Sequence, residues 1–198
     1  MSSVSDARTE AELFDMLARL YCEPAHVLLP HVANATGWKR QRVADALALS
    51  LWPSQGLHLT GFEMKSSRSD WLREIARPIK REAVGQFCDQ WVIVAGDHGI
   101  VHQHEVPAGH GLLVAEGNEL RWRVHPLETE AKPVSRELLC AIVRRAYRCS
   151  PHGRAVEERA AEIASAQVAA ARQQAAQHRS VAAQLRFQLK RAGIEPVA

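Results

Sequence analysis

The chain has 198 residues, 46% hydrophobic and 24% charged, with a formal net charge of +3. That is room for one domain of ordinary size and an accessory segment, with enough apolar content to bury a core. The composition excludes a disordered chain. The small net charge excludes a polycationic binder, so any basic surface must come from local clustering. Cys22, Cys88, Cys140 and Cys149 lie far apart with no Cys-x-x-Cys pair. The start, Met1 to Asp6, lacks the basic and apolar regions of a secretory signal, and no apolar run approaches the roughly 20 residues of a membrane span. The expectation is a protein of the reducing cytoplasm, off the membrane, with free and mostly buried thiols.

In chain order, Leu13, Met16, Leu17 and Leu20 recur at helical spacing behind a Thr9/Glu12 capping-box pattern. Asn34 to Arg42 is rich in turn formers and positive charge (Lys39, Arg40 and Arg42, beside Trp38), which predicts an exposed basic loop. Val43–Trp52 reads two ways. Its Ala and Leu content favours a helix, while Val43, Asp45, Leu47, Leu49 and Leu51 alternate as in a strand. After the turn Pro53-Ser54-Gln55-Gly56, Leu57–Lys65 runs at strand period, which suggests a hairpin with the preceding run. Ser67 and Asp70 form a second capping-box pattern ahead of Trp71, Leu72 and Ile75. Pro78 should break or restart that helix, which continues through Ala83, Val84 and Phe87.

Gln90–Ala95 predicts a buried strand followed by the turn Gly96-Asp97-His98-Gly99. Leu112–Ala115 and Leu120–Val124 predict a hairpin or two short edge strands, and Ser135–Arg148 an amphipathic helix. Pro151-His152-Gly153 divides a domain over residues 1–150 from a segment over 151–198. Arg154–Arg191 there has no Gly or Pro and predicts one long helix. Its Ala-rich seam suits a weak coiled coil, and hence a homodimer, or a helix docked on the domain.

Glu63 and Lys65 are two apart in a strand and share a face. By itself a Glu-x-Lys pair describes a surface ion pair contributing about 0–1 kcal/mol. Here an acid precedes it, the strand ends at the lysine and a capped helix starts at once. A carboxylate with a second acid can bind Mg2+ or Mn2+, the Met64 carbonyl between them adds an oxygen ligand, and the lysine can orient water or stabilise developing charge. Asp45 is the candidate second acid, since no other carboxylate lies between it and Glu63. Glu12 is a weaker third. The helix start offers Ser67 and Arg68 to a phosphate.

This arrangement, Asp45, then Glu63-Met64-Lys65, then a helix, resembles the PD-(D/E)XK, or restriction-endonuclease-like, nucleases. The stretches Leu51 to Leu57, Gly61 to Leu72 and Phe87-Cys88-Asp89-Gln90-Trp91 look like a bacterial and phage subgroup related to MmcB-like DNA repair proteins. The resemblance runs from about Thr9 to Val124; Ala44 stands where the motif has proline. It implies an α/β fold with a central mixed sheet flanked by helices and divalent-metal cleavage of DNA. Metal binding then falls to Asp45 and Glu63, and the catalytic lysine role to Lys65.

Other residues carry two readings. His98, His102, His104 and His110 crowd one segment with Asp97 and Glu105, which suits a metal site or, better, a solvated loop. Arg73, Arg77, Lys80 and Arg81 form a basic stripe that could meet DNA phosphates or face solvent with Glu74 and Glu82. Trp52, Trp71, Trp91 and Trp122 read as core, and Cys88 has no base at a telling spacing. The expected function is a metal-dependent deoxyribonuclease of DNA repair, recombination or mobile-element biology. The alternatives are a non-catalytic DNA-binding module on the same fold and an adaptor acting through its C-terminal helix.

Overall fold

A first helix, α1 (Glu10–Leu20), starts as its sequence requires: Thr9 Oγ1 accepts from the Glu12 N–H while Glu12 accepts from the Thr9 N–H. The structure, a computed structural model, describes residues 8–37, 42–75 and 82–191. The chain divides into two units, Met1–Tyr147 and Arg148–Ala198.

The first unit is a six-stranded mixed sheet flanked by helices. Its strands are β1 (His26–Ala33), β2 (Val43–Ser50), β3 (Leu59–Lys65), β4 (Gln90–Ala95), β5 (Gly111–Glu116) and β6 (Glu119–Val124), adjacent in that order. The pairs β1/β2, β2/β3 and β5/β6 are antiparallel, while β3/β4 and β4/β5 are parallel. Strand period prevails over helix propensity in Val43–Ser50, because Ala46 and Ala48 pack against α1 while Leu47 packs on the opposite face. β3 starts two residues later than its pattern suggested. Gly56 and Leu57 both have positive φ (80° and 55°) and belong to the turn that reverses the chain.

Two helices, α2 (Arg68–Ile75) and α3 (Glu82–Gly85), lie between β3 and β4. Trp71 of α2 packs with Ile93, Ile100, Val101, Leu112 and Val114, so both parallel crossovers cover one face. α1 covers the other through Leu13, Met16 and Leu17 against Phe62, Met64, Val92 and Val94. Gly61 is required where it stands: a Cβ there would lie 2.3 Å from the Trp91 ring on the next strand. α4 (Arg136–Cys149), capped by Ser135 Oγ on the Leu138 N–H, buries Leu138 in the cluster with Leu47, Leu59 and Trp91.

β1 has no counterpart among the predicted elements. Trp71 and Trp91 are buried as expected, but Trp52 is 53% exposed and its indole donates to the Pro24 carbonyl at the surface. All four cysteines are free thiols, yet Cys22 and Cys140 are exposed and only Cys88 is buried. In the second unit α5 runs from Pro151 to Arg191. Pro151-His152-Gly153 opens this helix rather than preceding it. Proline suits a first turn, and Ser150 Oγ accepts from the Gly153 N–H as a cap. No described helix is long and apolar enough to cross a membrane.

Candidate active site

Strand alternation sends Phe62 and Met64 toward α1 and leaves Glu63 and Lys65 on the face that α2 covers. Lys65 is only 4% exposed. A buried ammonium needs compensating charge, and this one has three carboxylates. Lys65 Nζ donates to Glu63 Oε1 at 2.6 Å, with Asp70 Oδ2 at 3.6 Å and Glu74 Oε2 at 3.8 Å. The first is a charge-assisted hydrogen bond; the other two act through charge.

Asp70 and Glu74 are one turn apart on α2 and so share a face. Ser67 Oγ accepts from the Asp70 N–H at 3.2 Å, which starts the helix directly after β3. Only that half of the capping box forms as predicted, since the Asp70 carboxylate turns to Lys65 and to Arg73 at 3.2 Å. Burial pulls the Lys65 pKa down; the charge and hydrogen bond of Glu63, reinforced by Asp70 and Glu74, outweigh it and leave the pKa raised. Lys65 is therefore a fixed positive charge and hydrogen-bond donor, never a base, near neutral pH.

The β2/β3 register, with Ala46 opposite Phe62, brings Asp45 to the same end of the sheet as Glu63. Asp45 Oδ2 accepts from the Met64 N–H at 2.7 Å. Burial pushes the Asp45 carboxyl up to about 7. The Glu63 charge adds to this, Glu10 adds less, and the Met64 hydrogen bond and Lys65 oppose it without prevailing. Asp45 lines a cavity of about 480 Å3 with Glu10, Phe14, His31 and Met64. His31, whose Nδ1 lies 3.5 Å from Glu10 Oε1, has φ 48°, a left-handed conformation that costs a β-strand residue about 1–3 kcal/mol. The β1/β2 register steps over it, from Pro30–Ala46 to Val32–Ala44.

The expected trio is thus brought to one end of two neighbouring strands, with Lys65 on Glu63 and Asp45 on the Met64 amide. Among the described residues no three His, Cys, Asp or Glu side chains form a closed metal cage. The Asp45–Glu63 end instead offers two carboxylates and, by strand geometry, the Met64 carbonyl on the side of its amide. Mg2+ commonly accepts such a partial set, taking water and phosphate oxygens for the rest. Burial chiefly, and after it the Glu63 charge, raise the Asp45 pKa; a cation there would relieve the second of these, so the donor types suit such an ion.

Other expectations are corrected. Glu12 is consumed by the α1 capping box and takes no part; Glu10 stands near Asp45 in its place. The signal was present, because Glu10 shares a helix face with Leu13 and Leu17. Glu74, read as a surface partner of the basic stripe, is 6% exposed and faces Lys65. Arg68 is not open to phosphate. Its two terminal nitrogens grip the Glu105 carboxylate and one also donates to the Ile100 carbonyl at 3.0 Å. Glu105 further accepts from the Trp71 indole and the His102 N–H, both at 3.1 Å. The Arg68 hydrogen bonds, chiefly, hold its carboxyl down at about 2. Burial, with the neighbouring Asp89 charge, pushes the Cys88 thiol up to about 12, which makes it inert. Arg77, Lys80, Arg81, Trp38, Lys39 and Arg40 lie outside the described residues.

The sequence matches no family model and no curated protein. Among solved structures, a protein of unknown function from Silicibacter pomeroyi is similar at a TM-score of 0.51. The match covers 72% of this chain and 92% of that one, at 20% identity. The likeness is one of fold. It supports the α/β architecture and says nothing of chemistry.

Proposed function

We propose that the first unit is a divalent-metal-dependent deoxyribonuclease that hydrolyses phosphodiester bonds, acting in DNA repair, recombination or mobile-element biology. The observation that carries this reading is the placement of Asp45 and Glu63 at one sheet end, where the Glu63 charge acts on Asp45, with a buried, charged Lys65 bonded to Glu63. Mg2+ or Mn2+ bound there would activate water and neutralise charge building on the phosphate. Asp45, Glu63 and the Met64 carbonyl would hold the ion, with Glu10 as a further acid near Asp45. Lys65 donates hydrogen bonds and positive charge, which suits orientation of the attacking water or stabilisation of the pentavalent phosphorus oxygens. Asp70 and Glu74 keep it charged and aligned.

DNA contact would fall to the basic residues Arg77 and Lys80 and to the Ser67 helix start, with Arg68 serving as a structural clamp. In the second unit, exposed Ile163, Val181, Leu185 and Phe187 on α5 suit a homodimer through that helix. The test is cleavage of labelled DNA in Mg2+ by the wild type and by Asp45→Asn, Glu63→Gln and Lys65→Ala. Each variant should lose roughly a hundredfold or more in rate. Cleavage by all three at the wild-type rate would refute the assignment. The 2.6 Å Lys65–Glu63 contact, which occupies one carboxylate oxygen, also suits a non-catalytic DNA-binding module. That reading predicts salt-sensitive DNA binding and no Mg2+-dependent cleavage by the wild type.

A further inference from the structure

The histidine segment after β4 is solvated at His98, His102 and His104, as expected, but it forms a wall tied down from behind. Arg68 ties it to the start of α2 through Glu105 and the Ile100 carbonyl, and Glu105 in turn holds the His102 N–H and the Trp71 indole. Behind this wall lies a cavity of about 420 Å3 lined by His98, His102, His104 and Arg123 over a floor of Leu112 and Val114. Each floor residue is only 1% exposed, so the cavity rests on packed core.

We propose that this cavity binds a nucleotide, a nucleobase with its phosphate, either free or as one unit of a strand. Two chemistries converge there. The His102 and His104 rings are stacked, 5.7 Å between centroids and 11° from parallel. Such imidazole faces above an apolar floor suit a planar base, as histidine does in single-strand recognition. Arg123 and His98 supply the anion-binding side. Arg123 Nη2 lies 3.3 Å from His98 Nε2 and also pairs with Glu116, while His98 Nε2 is 2.9 Å from Glu116 Oε1. Glu116 thereby fixes both groups, and because these contacts of the guanidinium run through one nitrogen, its other donors can meet a phosphate oxygen.

The place in the fold agrees with this ligand. β3 and β4 are parallel, so the loop after β4 emerges at the sheet end where β3 finishes at Lys65. A nucleotide seated among these histidines would hold a strand beside the Asp45–Glu63 end. The inference rests on the nuclease reading only for that last step; binding itself does not require cleavage.

The experiment is calorimetric titration of the full chain, without divalent metal, with deoxyadenosine 5′-monophosphate, deoxyadenosine, inorganic phosphate and a short single-stranded oligodeoxynucleotide. The nucleotide or the oligonucleotide should bind, with deoxyadenosine and phosphate each about tenfold weaker or more. Binding of both assigns a site for either source; binding of the oligonucleotide only assigns it to a unit within a strand. The His102→Ala/His104→Ala and Arg123→Gln variants, all at exposed or half-exposed positions, should each weaken binding about tenfold with an unchanged thermal midpoint. Titration without divalent metal reads binding alone, so a failure of the wild type to cleave DNA leaves this site standing. Absence of binding by both ligands, phosphate binding as tight as the nucleotide, or undiminished binding by the pocket variants would overturn the proposal.

Discussion

Lys65 and Arg68 are three residues apart, each cation met by carboxylates, and they do opposite things. Arg68 faces one carboxylate, fork to fork, and Glu105 is further satisfied by an indole and an amide. Charge is matched one to one, and the result is a clamp between α2 and the histidine segment. Lys65 faces three carboxylates, of which Glu74 is as buried as the lysine itself. Charge there is in surplus, and the Glu63 charge adds to burial in raising the Asp45 pKa. A balanced pair locks structure, whereas the unbalanced one leaves excess negative charge beside Asp45.

The largest expected effect breaks the unbalanced side. Lys65→Ala takes the ammonium away from Glu63 and Glu74 in a water-poor setting and should cost about 3–5 kcal/mol in urea denaturation. A double variant, Lys65→Met with Glu74→Gln, should recover part of that loss. A cost for Lys65→Ala under about 1 kcal/mol would mean that the pair is an ordinary surface contact.

Next comes the pH dependence set by Asp45. Its pKa is raised to about 7 in the folded chain, so between the ordinary carboxylate range and pH 7 the folded state binds a proton that the unfolded state releases. Stability should fall as pH rises from about 4 to about 7, by on the order of a few kcal/mol. Asp45→Asn should flatten that slope, and Mg2+ at pH 8 should stabilise the wild type but not the variant. Parallel slopes for the two proteins would remove Asp45 from the site.

The balanced side responds more weakly and at the other end of the pH scale. The Glu105 carboxyl is lowered to about 2, so the clamp contributes stability above the ordinary carboxylate range that is lost as pH falls toward 2. Arg68→Ala should remove this acid-limb contribution and lower the neutral-pH midpoint less than Lys65→Ala does. DNA affinity falling with the salt slope reduced by about one, and no change in midpoint, would make Arg68 a phosphate contact after all. Smallest is the contrast between two acids of α1. Glu10→Gln should weaken Mg2+ binding several-fold and bring the Asp45 pKa down, whereas Glu12→Gln should alter helix stability and leave the metal untouched.

Most of the elements could be read from period and caps. α1 with its Thr9 box, β3, β4, the β5/β6 hairpin and α4 all follow from apolar spacing and turn chemistry. β1 escaped because Pro30 and the left-handed His31 interrupt its pattern, and proline is tolerated in an edge strand. Trp52 misled because an indole can be satisfied by a surface carbonyl as well as by a core.

Of the candidate site, the sequence by itself determined what local covalent geometry controls. Glu63 and Lys65 share a face because strand side chains alternate, and α2 begins at once because Ser67 can cap it. Tertiary structure alone decided the partners: Glu74 on Lys65, Glu10 near Asp45, and Arg68 closed on a carboxylate 37 residues away. Charges find one another through space, and the sheet register and crossovers that bring them together are set by burial of the whole core.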